Sequence, residues 1–68
     1  MKNELVFGDL VGYLKKGLEI DVIDAKTKRM IAVYSRDEVV PLETEFRFRT
    51  IDIIDVENNV LKIYLNKY

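Results

Sequence analysis

The stretch TIDIIDVENNVLKIYLNKY, residues 50–68, reads as a β-hairpin. Two β-rich runs flank Asn58-Asn59, a pair that tolerates the positive φ of a two-residue hairpin turn. With those asparagines at the tip, Val56 stands opposite Leu61 and Ile54 opposite Ile63. These four share one face, and Leu65 joins them further along. Asp55 then faces Lys62 on the other side, an opposite-charge cross-strand pair. A slip of one residue would turn each side chain to the wrong face, so the agreement of these pairs fixes the register.

A second hairpin precedes it. Residues 18–24, LEIDVID, alternate, with Leu18, Ile20 and Val22 facing one way and Glu19, Asp21 and Ile23 the other. A polar turn at residues 25–28 leads into RMIAVYS, residues 29–35. That loop length sets Asp24 opposite Arg29, Val22 opposite Ile31 and Ile20 opposite Val33.

Upstream, residues 4–16 predict an amphipathic helix, since Phe7, Leu10, Val11 and Leu14 recur at helical spacing. Asn3 and Glu4 suit its start, Lys15 and Lys16 its end, and Gly17 the C′ position where positive φ is needed. Gly8 and Gly12 either open a face for close approach or are tolerated in a short helix. Between the hairpins, Ser35 and Glu38 have the spacing of a capped helical turn, which Pro41 ends.

Residues 45–56 predict a long third strand with a parity conflict. Phe46, Phe48, Ile54 and Val56 share one face, Ile51 and Ile53 the other, and Asp52 falls on the side that should be buried. A bulge near residues 50–52 resolves it. The order predicts one α+β domain over residues 1–68. One N-terminal helix packs on a four-stranded antiparallel sheet made of two hairpins, with a short helical turn between them.

Composition sets the limits. A chain of 68 residues buries only roughly 60% of the surface its unfolded form exposes, which makes a partner valuable. Charged residues make up 34% and nearly balance at −1, so there is no strongly basic footprint. No apolar run approaches a membrane span, and the first residues lack the pattern of a secretory signal. Cysteine is absent, which fits a reducing compartment, and a cytoplasmic protein is expected.

The second face of the sheet is the informative one. The two registers turn Leu18, Ile20, Val22, Ile31, Val33, Ile54, Val56, Leu61, Ile63 and Leu65 toward the helix. They turn Ile23, Met30, Ala32, Tyr34, Ile53, Val60 and Tyr64 the other way, among Glu19, Asp21, Asp55 and Lys62. An apolar patch with aromatic members and a charged rim predicts a protein interface, and a homodimer through it would relieve the small core. The expected contacts are Ile23, Met30, Tyr34, Ile53 and Tyr64, with the tyrosines as anchors.

Chemistry is largely excluded. Without histidine or cysteine there is no Ser-His or Cys-His nucleophile and no ordinary zinc site, and no phosphate-cradling glycine motif occurs. No enzyme activity and no cofactor are expected. Asp21, Asp24, Asp52, Asp55 and Glu57 are the remaining catalytic or oxygen-ligand candidates, and they also read as edge-protecting surface charge. Arg47 and Arg49, interleaved with Phe46 and Phe48, use the vocabulary of nucleic-acid binding, and Lys26, Lys28 and Arg29 extend it. In a strand, however, Phe and Arg at these positions point to opposite faces.

The helix pattern F-G-D-L-x-x-Y-L, then I-x-V-x-D, then N-N-x-L-x-I-Y-L, resembles small phage and prophage proteins of low-GC Gram-positive bacteria. The likeness lies in residues 7–14, 20–24 and 58–65. Such proteins typically have no assigned function, so the resemblance implies an accessory role by binding and assigns no site residue. The expected function is therefore a non-enzymatic protein-interaction module that acts through an exposed sheet face or an edge strand and self-associates. The alternative is a nucleic-acid-binding accessory protein using the arginines and lysines named above.

Overall fold

The computed structural model of the chain describes residues 5–14, 17–41 and 43–67. Its elements are α1 (Phe7–Val11), β1 (Glu19–Asp24), β2 (Met30–Tyr34), β3 (Ile51–Glu57) and β4 (Val60–Leu65). Both predicted hairpins form, and Asn58 and Asn59 take positive φ at 52° and 63°. The sheet order is β2-β1-β4-β3.

The sheet is mixed, which overturns the all-antiparallel expectation. β1 and β4 run parallel at its centre, and each hairpin contributes one edge. Turn chemistry fixes partners within a hairpin only; which strands meet between hairpins depends on the connection. A short link from β2 to β3 would return the chain at the end where β2 stops. Residues 35–50 instead climb back along the sheet, bringing Val40 and Phe46 into the core layer. β3 then starts at the far end, and β4 emerges parallel to β1. This crossover is long enough to satisfy the roughly dozen residues that a parallel arrangement demands.

The helix is one turn and a half, not the thirteen positions the periodicity offered. Its continuation at Tyr13 and Leu14 uses i to i+3 bonds to Leu10 and Val11. Asn3, Glu4, Lys15 and Lys16 lie outside the described residues. No side chain caps the start. Instead the Phe7 N–H donates to the Arg49 carbonyl at 2.9 Å and the Gly8 N–H to the Arg47 carbonyl at 2.7 Å. The helix's orphan donors are thus satisfied by the approach to β3. This also explains why residues 45–48 turn where a strand was predicted: their carbonyls serve the helix, and Arg47 and Arg49 donate back to Thr44 and Phe46. A Cβ at Gly8 would meet the Arg47 carbonyl at 3.0 Å, so Gly8 is a close-approach glycine; Gly12 has open space.

The core sits between this layer and one face of the sheet. Phe7, Val11, Ile20, Val22, Val40, Ile63 and Leu65 are buried together, and the Phe46 ring lies 5.2 Å from Phe7. The β3–β4 register is as predicted, including the bulge, which falls between Ile51 and Ile53. The β1–β2 register holds only near its turn. A second bulge between Val22 and Ile23 sets Val22 opposite Ala32 and Ile20 opposite Tyr34. Val33 consequently leaves the inner face, while Ala32 and Tyr34 join it. The Ser35–Glu38 signal yields a turn rather than a helix. One bond of the capping pair forms, the Ser35 N–H donating to the Glu38 carboxylate, while the Glu38 N–H donates to the Ser35 carbonyl and closes the turn. Among the described residues no helix is long and apolar enough to cross a membrane.

Candidate functional site

The parallel pairing of β1 with β4 aligns the apolar residues of the outer face into a line. Ile23 pairs with Met30 on one side and Tyr64 on the other, and Tyr64 pairs with Ile53. One apolar residue from each strand therefore stands at the same level across the whole sheet. The next level is charged: Val33, Asp21, Lys62 and Asp55 follow one another across the same strands. Beyond it, Val60 stands between Glu19 and Glu57. The outer face is thus half apolar and half carboxylate-rich, with Lys62 among the acids and its Nζ 3.5 Å from Glu57. Lys28 reaches the apolar half, its Nζ 5.3 Å from the centre of the Tyr64 ring, within cation–π range.

The described apolar residues that pack from outside the strands join the inner cluster: Phe7, Leu10, Val11, Leu14, Val40 and Phe46. Ile23 is buried without belonging to that cluster, with Met30 and Tyr64 as its cross-strand neighbours. At the two edges, Met30 and Ile53 remain 52% exposed. Asp21 is only 9% exposed, and its Oδ1 has no hydrogen-bond partner among the described residues. Such an oxygen costs about 1–3 kcal/mol when nothing satisfies it.

Four of the five predicted contacts, Ile23, Met30, Ile53 and Tyr64, are therefore brought together. Tyr34 is not: the β2 bulge turns it to the inner face, against the core. Burial, with the Glu38 charge adding to it, raises its phenol above the ordinary tyrosine value. The bulge was illegible because residues 30–34 are apolar at every position, so neither parity conflicts with a buried face.

The cationic residues do not assemble into one patch. Arg49 is spent inside the fold. Its Nη2 lies 2.6 Å from the Asp24 carboxylate, and its Nε donates to the Asn66 carbonyl at 2.7 Å. The predicted Asp24–Arg29 ion pair is replaced by this one, although the Asp24 N–H still donates to the Arg29 carbonyl. Asp24 also accepts from the N–H groups of Lys26 and Thr27. The Thr27 N–H, the Arg49 guanidinium and the Lys26 N–H together hold its carboxyl well below the usual carboxylate range. Arg47 donates to the Thr44 carbonyl and stacks over Phe48, 4.6 Å from the ring centre. That contact corrects the expectation of opposite faces, since these residues sit in a turn. Lys26, Lys28 and Arg29 are exposed around the β1–β2 turn.

Asp21 and Asp55 stand on either side of Lys62, and Asp52 occupies the bulge. Among the described residues no three carboxylates come close enough to hold a metal ion. An open cleft of about 190 Å³ lies between Ile31, Glu45, Phe46 and Arg49. It falls short of the roughly 300 Å³ at which small-molecule sites begin.

Two features escaped the sequence reading. The Arg49 clasp joins residues 25 positions apart, with no local signal. The other is at the N-terminal end, where Val6 bridges Thr50 and the Ile51 N–H donates to the Leu5 carbonyl at 2.8 Å. Leu5 and Val6 had read as helix. The fold and site define a small mixed-sheet α+β domain with one face that no described helix or crossover residue joins. No family model, no curated protein and no solved structure matches the chain.

Proposed function

We propose that the protein is a small, non-enzymatic, cytoplasmic interaction module that self-associates through the outer face of its sheet. One observation carries this reading: Met30, Ile23, Tyr64 and Ile53 form an unbroken apolar line over all four strands on the face opposite the core. Interfaces concentrate their energy in such central apolar and aromatic residues, with charge at the rim. The level beside the line, with Asp21, Lys62 and Asp55, supplies charge of both signs next to it. The resemblance to small phage and prophage proteins suits an accessory role exerted by binding.

Light scattering across a concentration series tests the reading, with wild type beside Tyr64→Glu. A concentration-dependent dimer that Tyr64→Glu dissociates is the expected result. A monomer for wild type throughout, with Tyr64→Glu equally folded, overturns self-association.

A further inference from the structure

The β3 edge is the second unfinished surface. β4 covers one side of the strand. On the other side the chain itself begins to add a strand. Ile51 turns its N–H away from β4 to the Leu5 carbonyl, and Val6 bridges Thr50 in antiparallel sense. Past this stub, every residue from Asp52 to Glu57 is exposed and no described residue pairs with the open side. Unpaired strand edges recruit other strands unless they are blocked.

The side chains state what would fit. Ile54 and Val56 point to the core side, yet the helix layer leaves them 44% and 60% exposed. Asp55 and Glu57 point to the outer face, and Asp52 stands at the bulge. Against these three carboxylates the strand's own hairpin supplies one cation, Lys62. A second copy of β3 would bring carboxylates toward carboxylates, whereas a strand with cations on one face and apolar groups on the other matches both sides.

We infer that residues 53–57 receive an extended segment of a partner protein in which apolar residues alternate with lysine or arginine. Main-chain pairing to the open edge holds the segment, its apolar positions cover Ile54 and Val56, and its cations meet Asp55 and Glu57. The inference stands on the edge and its charge, independently of what covers the outer face. It applies equally to a chain that remains monomeric with or without Tyr64→Glu.

The probe is the blocked hexapeptide acetyl-(Val-Lys)3-amide, titrated into the isotopically labelled full chain with amide shifts and hydrogen exchange read by NMR. Shifts centred on residues 53–57, with slowed exchange there, are expected. Asp55→Lys with Glu57→Lys should weaken binding about tenfold or more, and the affinity should fall steeply as salt rises. The milder pair Asp55→Asn and Glu57→Gln serves if lysines disturb the hairpin, and Asp37→Lys, away from the edge, should change nothing. Several results overturn the inference: no binding at millimolar peptide, shifts centred on β2, or equal binding by the Val-Glu peptide or by one with a central proline. Slow exchange, in the free protein, of those amides of residues 53–57 that point away from β4 overturns it too, because the chain or a second copy would then already cover the edge.

Discussion

The two hairpins share a construction and differ in what covers them. In the first, both strands lie under the helix layer: Ile20 and Val22 are buried and Ala32 and Tyr34 pack against the core. In the second, β4 is covered and β3 only at its first residue, Ile51. Ile54 and Ile63 are cross-strand partners on the same face, yet Ile63 is fully buried and Ile54 is 44% exposed. Burial here is decided by how far the described layer around Phe7, Val11, Val40 and Phe46 reaches, and past Ile51 it leaves β3 exposed. The uncovered strand is also the acidic one, as expected of an edge that must resist indiscriminate pairing.

The sharpest way to break this comparison is to truncate both members of the pair. Ile63→Ala should cost about 3–4 kcal/mol, a large part of the stability of so small a domain. Ile54→Ala should cost less than about 1 kcal/mol. Urea unfolding measures both. Equal losses would mean that something covers β3 in solution.

Next in size is the clasp that ties the hairpins together. Arg49, leading into β3, grips Asp24 at the end of β1. The Asp24 carboxyl is depressed in the fold relative to its ordinary value of 3.8, so the unfolded chain binds its proton first. Its contribution is therefore complete above that value and is lost as pH falls through the depressed one. Glu38, also lowered by its bonds to Ser35, adds in the same direction. Thermal melts between about pH 6 and about pH 2 should show wild type losing stability steeply with acid, and Asp24→Asn should lose much less. Parallel curves would show that the clasp is not formed.

The layer itself can be probed at its two glycines. Alanine at Gly8 presses on the Arg47 carbonyl, which the Gly8 N–H already holds, and should destabilise by about 1–2 kcal/mol. Alanine at Gly12 meets nothing and should be neutral or stabilise by up to about 1 kcal/mol. A harmless Gly8→Ala would mean the layer is looser than the bonds at 47 and 49 imply.

The same contrast explains what could be read from the chain. The second hairpin was legible down to its bulge because its sequence contains its own contradictions. Asp52 on a buried parity and Asn58-Asn59 at the tip admit one solution. The first hairpin offered none. Apolar residues at consecutive β2 positions satisfy either register, and only the core decided for Tyr34 over Val33. The parallel meeting of β1 with β4 was still further from view, since it depends on the path of residues 35–50 rather than on any turn. Of the candidate site, Ile23, Met30, Ile53 and Tyr64 were visible as a parity class. Their alignment into one line needed the parallel meeting of β1 with β4, which sets Ile23 beside Tyr64.

The smallest expected effect is also the most diagnostic. Asp21 lies in the central strand with an unpaired, buried oxygen on the outer face. Replacing it with valine removes that oxygen, suits a strand position and leaves Lys62 with Glu57. The isolated domain should gain about 1 kcal/mol. If the outer face self-associates as proposed, Asp21, whose carboxylate stands beside the apolar line, should show opposite signs in two measurements. Asp21→Val should raise the melting temperature of the dilute protein while weakening the concentration-dependent dimer. A gain in stability with dimerisation untouched would take Asp21 out of the interface. A loss of stability would mean its oxygen is already satisfied in the single chain.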